Sequence, residues 1–212
     1  MCARPIHLIT ALPAEAKPIA ARFRLKRAQP DQGYPIYRRG PVALAVTGPG
    51  KVDSAAATAM LGALGGQGTR AIWVNLGIAG HAERSVGEVL LASSVRDGGS
   101  GRLWRPILPR ATSCPSDALL TLDRPDLVYE HEGMVDMEAS GFFPVACRFS
   151  DHALVQVLKV ISDNRERTAH GLGAKQVRLL MGEILDPLEA LLADLQACAD
   201  LCGEVLDAPR AG

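Results

Sequence analysis

The sequence carries no excess of charge of either sign. Its 23 lysines and arginines balance 23 acidic residues, so the formal net charge is zero. A balanced chain creates no long-range field that attracts nucleic acid or an anionic membrane, and no local basic patch is evident. We therefore expect a small-molecule substrate and no nucleic-acid partner.

The cysteines lack any pattern that builds a disulfide framework or a zinc site. There are five, which is an odd number, and no two form a CxxC pair. Because such sites need paired and regularly spaced cysteines, we expect reduced thiols and no metal. Reduced thiols are typical of the cytoplasm, where we expect the protein to reside.

Long apolar runs are also missing. No run approaches the roughly 20 residues that span a bilayer, and the apolar strand at residues 6–9 is too short for a signal-peptide core. We expect no membrane span. Hydrophobic residues still make up 48% of the 212, enough for one core, so we predict a single domain over residues 1–212.

Common cofactor and hydrolase motifs are incomplete. Gly48-Pro-Gly-Lys51 resembles a phosphate-binding loop, but Ala45 stands where that loop needs glycine and Val52 where it needs Ser or Thr. Asp53 stands where the dinucleotide fingerprint needs its third glycine. HExxH and GxSxG are absent. We therefore expect no cofactor and interpret the glycines as a strand-to-helix turn.

Strand-like and helix-like segments alternate along the chain. Short apolar runs predict strands at 7–10, 34–38, 42–47, 72–76, 88–93 and 154–161. Helical patterns cover 14–23, 52–64, 135–149 and 177–195, and a short strand is predicted before the helix of residues 135–149. Residues 77–80 and the Gly- and Pro-rich stretch 96–115 are predicted as loops. The alternation predicts an α/β fold, a single three-layer domain with a central mixed β-sheet flanked by helices.

Three acidic residues stand at informative positions: Glu15 just inside the first helix, Glu138, and Asp163 after a buried strand. Ligands bind such folds at the carboxyl ends of the strands, which here are residues 10–15, 75–80 and 162–164. Partial desolvation there favours the protonated form of a carboxyl group. Asp163 is therefore a candidate general acid, and the alternative is that it caps the following turn.

Five segments carry a family resemblance. In chain order they are Thr10-Ala-Leu-Pro-Ala-Glu15, Thr47-Gly-Pro-Gly-Lys-Val-Asp-Ser-Ala-Ala56, Asn75-Leu-Gly-Ile-Ala-Gly80, Val135-Asp-Met-Glu-Ala139 and Val160-Ile-Ser-Asp-Asn164. Their order and separation resemble those of the nucleoside phosphorylases and the methylthioadenosine/S-adenosylhomocysteine nucleosidases. The resemblance implies a nucleoside phosphorylase-like fold and cleavage of the N-glycosidic bond of a purine nucleoside.

The resemblance also implies roles for individual residues. Asp163 would protonate the purine and Glu15 would orient or deprotonate water, which makes both catalytic candidates. Glu138 would hydrogen-bond the ribose hydroxyls, and Met137 would pack against the sugar unless it is plain core. The other substrate-binding candidates are Asp136, Gly77, Ile78 and Ser162.

These roles fit the chemistry of the bond. Its cleavage passes through an oxocarbenium-like state, so an acid must neutralise the leaving base while a carboxylate supports the ribose. We therefore expect a protonated Asp163 beside an ionised Glu138.

Water is the favoured nucleophile, because Glu15 and Ile78 stand where the family's phosphorylases place phosphate ligands. The alternative is a phosphorylase with inorganic phosphate as co-substrate, including the hopanoid-associated branch, which has similar Leu-Pro-Ala-Glu and Gly-Ile-Ala-Gly segments. Arg38, Arg39 or Arg84 would then have to bind the phosphate.

Two departures from the nucleosidase pattern support a third interpretation, a degenerate member that binds a nucleoside without turnover. Ile78 replaces the usual serine, and the aromatic residue that stacks on the base has no clear equivalent. Tyr129 and Trp104 are the candidates for stacking, although packing is the more common role of such residues. The resemblance further implies a homodimer or larger homo-oligomer, with the alanine-rich residues 55–64 as a candidate interface.

Overall fold

The structure of the protein, a computed structural model, describes residues 4–28, 33–65, 71–110 and 113–207. Within these residues ten strands form one sheet: β1 (Ile6–Thr10), β2 (Lys26–Arg27), β3 (Ile36–Arg39), β4 (Val42–Val46), β5 (Ile72–His81), β6 (Val89–Asp97), β7 (Leu103–Trp104), β8 (Ser116–Thr121), β9 (Met134–Asp136) and β10 (Val155–Asp163). The helices are α1 (Pro13–Arg22), α2 (Lys51–Leu64), α3 (Ala139–Ala146), α4 (Ala174–Glu183) and α5 (Leu185–Asp207).

The middle of the sheet is parallel and its margins are mixed. Strands β4, β1, β5 and β10 lie side by side in parallel. Strands β3, β6 and β9 pair antiparallel with β4, β10 and β5, respectively. Parallel strands that are covered on both faces need continuous apolar runs, and β10 is buried at all nine positions.

Helices cover both faces of this sheet. Helices α2 and α3 enclose one core, which contains Trp73, Phe142 and Phe143. Helices α1, α4 and α5 enclose the other, which contains Val74 and Leu188. Neighbouring residues of β5 thus point to opposite cores, as the two-residue period of a strand requires. The predicted α/β fold with a central mixed sheet is confirmed.

Two predicted boundaries near the end of β5 are wrong. Residues 77–80, predicted as a loop, continue β5 to His81, because β10 keeps pairing with β5 as far as Gly80. The helix predicted over residues 135–149 begins later than predicted, and a short strand of the kind predicted before it extends into these residues. Residues 134–136 pair with β5 and β8 as β9, and α3 begins only at Ala139.

The C-terminal half differs from prediction in two further places. The single helix predicted over 177–195 is two helices, α4 and α5. Pro187 in the first turn of α5 has no N–H to continue a preceding helix, which explains the break. Strand β8 was not predicted, and it lies between β6 and β9. In the described residues, no helix is long and apolar enough to cross a membrane.

Candidate active site

A cavity of about 320 Å³ opens at the carboxyl ends of the parallel strands. Its wall combines the β1–α1 turn, the ends of β5 and β10, the β9–α3 junction and residues 124–126. All but one of the predicted site residues lie in this wall: Glu15, Ile78, Asp136, Met137, Glu138, Ser162 and Asp163. Open α/β sheets bind their ligands at this edge.

Glu15 is held by backbone donors. Its Oε2 accepts hydrogen bonds from the N–H groups of Ala11 and Leu12 at 2.9 and 2.8 Å, and its Oε1 accepts one from Ile78 at 3.0 Å. Burial raises the pKa of Glu15, while these donors and Lys159 act in the opposite direction. The three N–H groups fix the orientation of the carboxyl group.

Gly77, the remaining predicted residue, lies behind Glu15. A Cβ at this position would stand 2.8 Å from Glu15 Oε1. Gly77 therefore allows the carboxyl group to approach the backbone of β5, which is a supporting role.

Lys159 is a site residue that sequence analysis missed. It lies inside β10 with 1% of its surface exposed, and its Nζ is 2.8 Å from Asp136 Oδ2. Burial lowers the pKa of Lys159, but Asp136 and Glu138 outweigh this and the net shift is upward. A lysine between the apolar residues Leu158 and Val160 of a buried strand was the available signal, since a buried charge needs a partner.

Asp136 is engaged by the protein on both oxygens. Its Oδ1 accepts from Thr121 Oγ1 at 2.7 Å, and its Oδ2 accepts from Lys159 and from the Ala139 N–H at 2.9 Å. The latter contact also satisfies a donor at the N-terminus of α3. Asp136 therefore anchors Lys159 beneath the cavity.

Glu138 faces the turn before α2. Its Oε1 accepts from the Gly50 N–H at 2.9 Å, so the predicted strand-to-helix turn places its backbone at the site. Burial raises the pKa of Glu138 to about 7, with Lys159 opposing and Asp136 adding to the shift. The direction of this shift favours the protonated form, whereas sequence analysis expects Glu138 to be ionised.

Asp163 accepts hydroxyl hydrogen bonds on both oxygens, from Ser162 Oγ on Oδ1 and from Tyr129 Oη on Oδ2 at 2.8 Å. The alternative role as a cap belongs to its neighbour. Asn164 Oδ1 accepts from the N–H groups of Glu166 and Arg167 at 3.0 and 2.8 Å. The Asp163 carboxyl group lines the cavity instead.

The two aromatic candidates for base stacking lie outside the cavity wall in the described structure. Tyr129 is buried against Asp163, and Trp104 packs against the core beside β6. The candidate phosphate ligands Arg38 and Arg39 lie on β3, and Arg84 pairs with Glu88 at 2.9 Å. Among the described arginines, Arg124 is the one that lines the cavity.

Comparison with known proteins identifies the fold. No family model and no curated protein matches the sequence. The 5'-methylthioadenosine nucleosidase of Arabidopsis thaliana matches with a TM-score of 0.76 at 16% identity, over 92% of this chain and 97% of that one. The 5'-methylthioadenosine/S-adenosylhomocysteine nucleosidase of Helicobacter pylori matches with a TM-score of 0.72 at 15% identity, over 92% and 100%. Futalosine hydrolase of the same organism matches with a TM-score of 0.71 at 16% identity, over 90% and 98%. At these identities the likeness shows the fold, and the predicted nucleoside phosphorylase-like fold is confirmed.

Proposed function

We propose that this protein hydrolyses the N-glycosidic bond of a purine nucleoside, a 5'-substituted adenosine, and releases adenine. One observation carries the proposal. Glu15, Glu138 and Asp163 come from three distant segments of the chain and line one cavity of about 320 Å³. The fold shared with nucleosidases and futalosine hydrolase supports the same chemistry.

The three carboxyl groups supply what the reaction needs. Asp163 gives a proton to the leaving base as the C–N bond breaks and its electron pair moves to the base. The oxygen of water bonds to the anomeric carbon while Glu15 takes the proton from water. Glu138 accepts hydrogen bonds from the ribose hydroxyls, which strengthen as positive charge develops on the sugar. Proton exchange with solvent then restores Asp163 and Glu15.

Charge in the cavity favours water over phosphate. Glu15, Asp136 and Glu138 share one buried cation, Lys159. A phosphate anion entering beside these carboxyl groups meets like charge, and Lys159 already pairs with Asp136 at 2.8 Å. Arg124 also lines the cavity, but the acidic residues of the described lining outnumber it. Hydrolysis is therefore the proposed reaction, and it requires no cofactor.

The test is chromatographic detection of free adenine from methylthioadenosine, S-adenosylhomocysteine and adenosine, with and without phosphate. We expect phosphate-independent release. Asp163→Asn should lower it by roughly two to four orders of magnitude, the usual range for a general acid. Asp53→Asn is the matched control, because Asp53 is exposed on α2 and pairs with Tyr34 at the surface.

The alternatives give different results in the same assay. Release that depends on phosphate would favour a phosphorylase. Nucleoside binding without release of adenine would favour a degenerate member of the fold. Undiminished release by Asp163→Asn would remove Asp163 from the mechanism.

A further inference from the structure

Tyr129 contacts the candidate acid from outside the cavity. Its hydroxyl donates to Asp163 Oδ2 at 2.8 Å and accepts from the Ala169 N–H at 2.9 Å. A phenol has one proton, and the Ala169 amide occupies an acceptor position of the oxygen, so the proton is directed at Asp163. Burial and the contact with Asp163 raise the pKa of Tyr129 to about 12, which keeps the hydroxyl a donor at neutral pH.

The backbone of Tyr129 is also fixed. Its φ is 58°, in the left-handed region that bulky residues rarely adopt. Its N–H donates to Asp126 Oδ1 at 3.1 Å, and its carbonyl accepts from Arg165 Nη2 at 2.9 Å. A conformation of this kind persists only where the surrounding contacts determine it. Here those contacts aim the phenol at Asp163.

We propose that Tyr129 is a positioning residue for Asp163 in the proposed hydrolysis, on which this inference rests. When Asp163 passes its proton to the leaving base, the neutral acid becomes a carboxylate. A hydroxyl on Oδ2 binds the carboxylate more strongly than the acid, so the hydrogen bond strengthens toward the transition state. Each carboxyl oxygen accepts more than one hydrogen bond, which leaves Oδ2 able to hold the transferable proton as well.

The test substitutes Tyr129→Phe, which keeps the ring and removes the donor. With methylthioadenosine as the probe, we expect kcat to fall roughly 10- to 100-fold, the range for a hydrogen bond to a charged group, while KM stays within about threefold. Tyr34→Phe is the matched control. It also removes a tyrosine–aspartate hydrogen bond, at the surface, and both constants should be unchanged.

A merely structural tyrosine gives another pattern. If Tyr129 only supported the wall formed by residues 124–126, Tyr129→Phe would raise KM and leave kcat alone, and the inference would be overturned. Native kcat in Tyr129→Phe would overturn it too, with the proposed function intact. If the native chain released no adenine from any of the three nucleosides, the proposed function would fail first and this inference with it.

A second variant protects the test against misfolding. If Tyr129→Phe lowers the thermal unfolding temperature, 3-fluorotyrosine incorporated at position 129 keeps both the ring and the hydroxyl. We expect the fluorinated protein to retain kcat within a few fold of the native value. A loss equal to that of Tyr129→Phe would show that the hydroxyl donor is not what matters.

Discussion

At the amino ends of β1 and β5, His7 packs against Trp73 with ring centroids 4.3 Å apart and ring planes tilted by 47°. At the other end of the sheet Asp136, the last residue of β9, is paired with Lys159 from the middle of β10. Both ends bury ionisable groups. Burial, with a smaller contribution from Arg38, lowers the pKa of His7 to about 4, so His7 is neutral at neutral pH. Lys159 keeps its charge because the carboxyl groups around it outweigh burial.

The comparison shows how one sheet can bury a neutral group at one end and charged groups at the other. A buried ionisable side chain without a partner loses its charge. It stays charged only where an oppositely charged group and hydrogen-bonding groups contact it. At the carboxyl ends the turn before α1 supplies such donors to Glu15, and the first residue of α3 supplies one to Asp136. A purely apolar packing there would leave no acid or base for chemistry.

The largest expected effect comes from removing the buried cation. Lys159→Met leaves the buried carboxylate of Asp136 without its ion-pair partner, although its hydrogen bonds remain. The loss should lower the free energy of unfolding by about 3–5 kcal/mol. Lys51→Met is the control. Lys51 pairs with Asp97 and Asp123 in a more exposed position, so its loss should cost about 1 kcal/mol or less. Denaturant unfolding measures both, and equal small losses would contradict the role assigned to Lys159.

The amino end predicts a second effect, on the pH dependence of stability. The folded pKa of His7 is about 4 and the ordinary value is 6.5, so below pH 6.5 the unfolded chain binds the proton more readily. His7 should therefore remove up to about 3 kcal/mol of stability as the pH falls from 6.5 to 4. His7→Gln should abolish this part of the slope in unfolding measured across that range.

The carboxyl end should show the opposite slope. The folded pKa of Glu138 is about 7 and the ordinary value 4.5, so the folded chain holds the proton more tightly. Glu138 thus destabilises the fold as the pH rises from 4.5 through 7, by up to about 3 kcal/mol. As the pH increases from 4.5 to 7, Glu138→Gln should therefore become more stable than the native chain in unfolding measurements. The same substitution should lower the release of adenine. The two substitutions should therefore change the pH dependence of the unfolding free energy in opposite directions. If His7→Gln and Glu138→Gln changed it in the same direction, the contrast between the two ends would be wrong.

The location of the site at the carboxyl ends of the strands can be predicted from the sequence, but several of its contacts cannot. Glu15 and Asp163 could be placed at one edge because strand ends of a parallel sheet converge. Lys159 and the contact between Tyr129 and Asp163 could not. They depend on the register of β10 beside β5 and on the path of residues 122–133, which tertiary contacts set rather than local pattern. Strand β8 was missed for the same reason, since its place between β6 and β9 is a matter of pairing.

The smallest expected effect concerns a single methyl group at the site. Gly77→Ala would place Cβ 2.8 Å from Glu15 Oε1, so the carboxyl group must shift from the three N–H groups that hold it. We expect a loss of about 1–2 kcal/mol in unfolding free energy and a fall in adenine release.

Gly182→Ala in α4 is the matched control, because a Cβ there has no atom within 4 Å among the described residues. Helix propensity alone should stabilise that variant by up to about 1 kcal/mol, with activity unchanged. If Gly77→Ala changed neither the unfolding free energy nor the release of adenine, Glu15 would tolerate displacement. A need for exact positioning at the carboxyl ends would then apply to Asp163 and Lys159 alone.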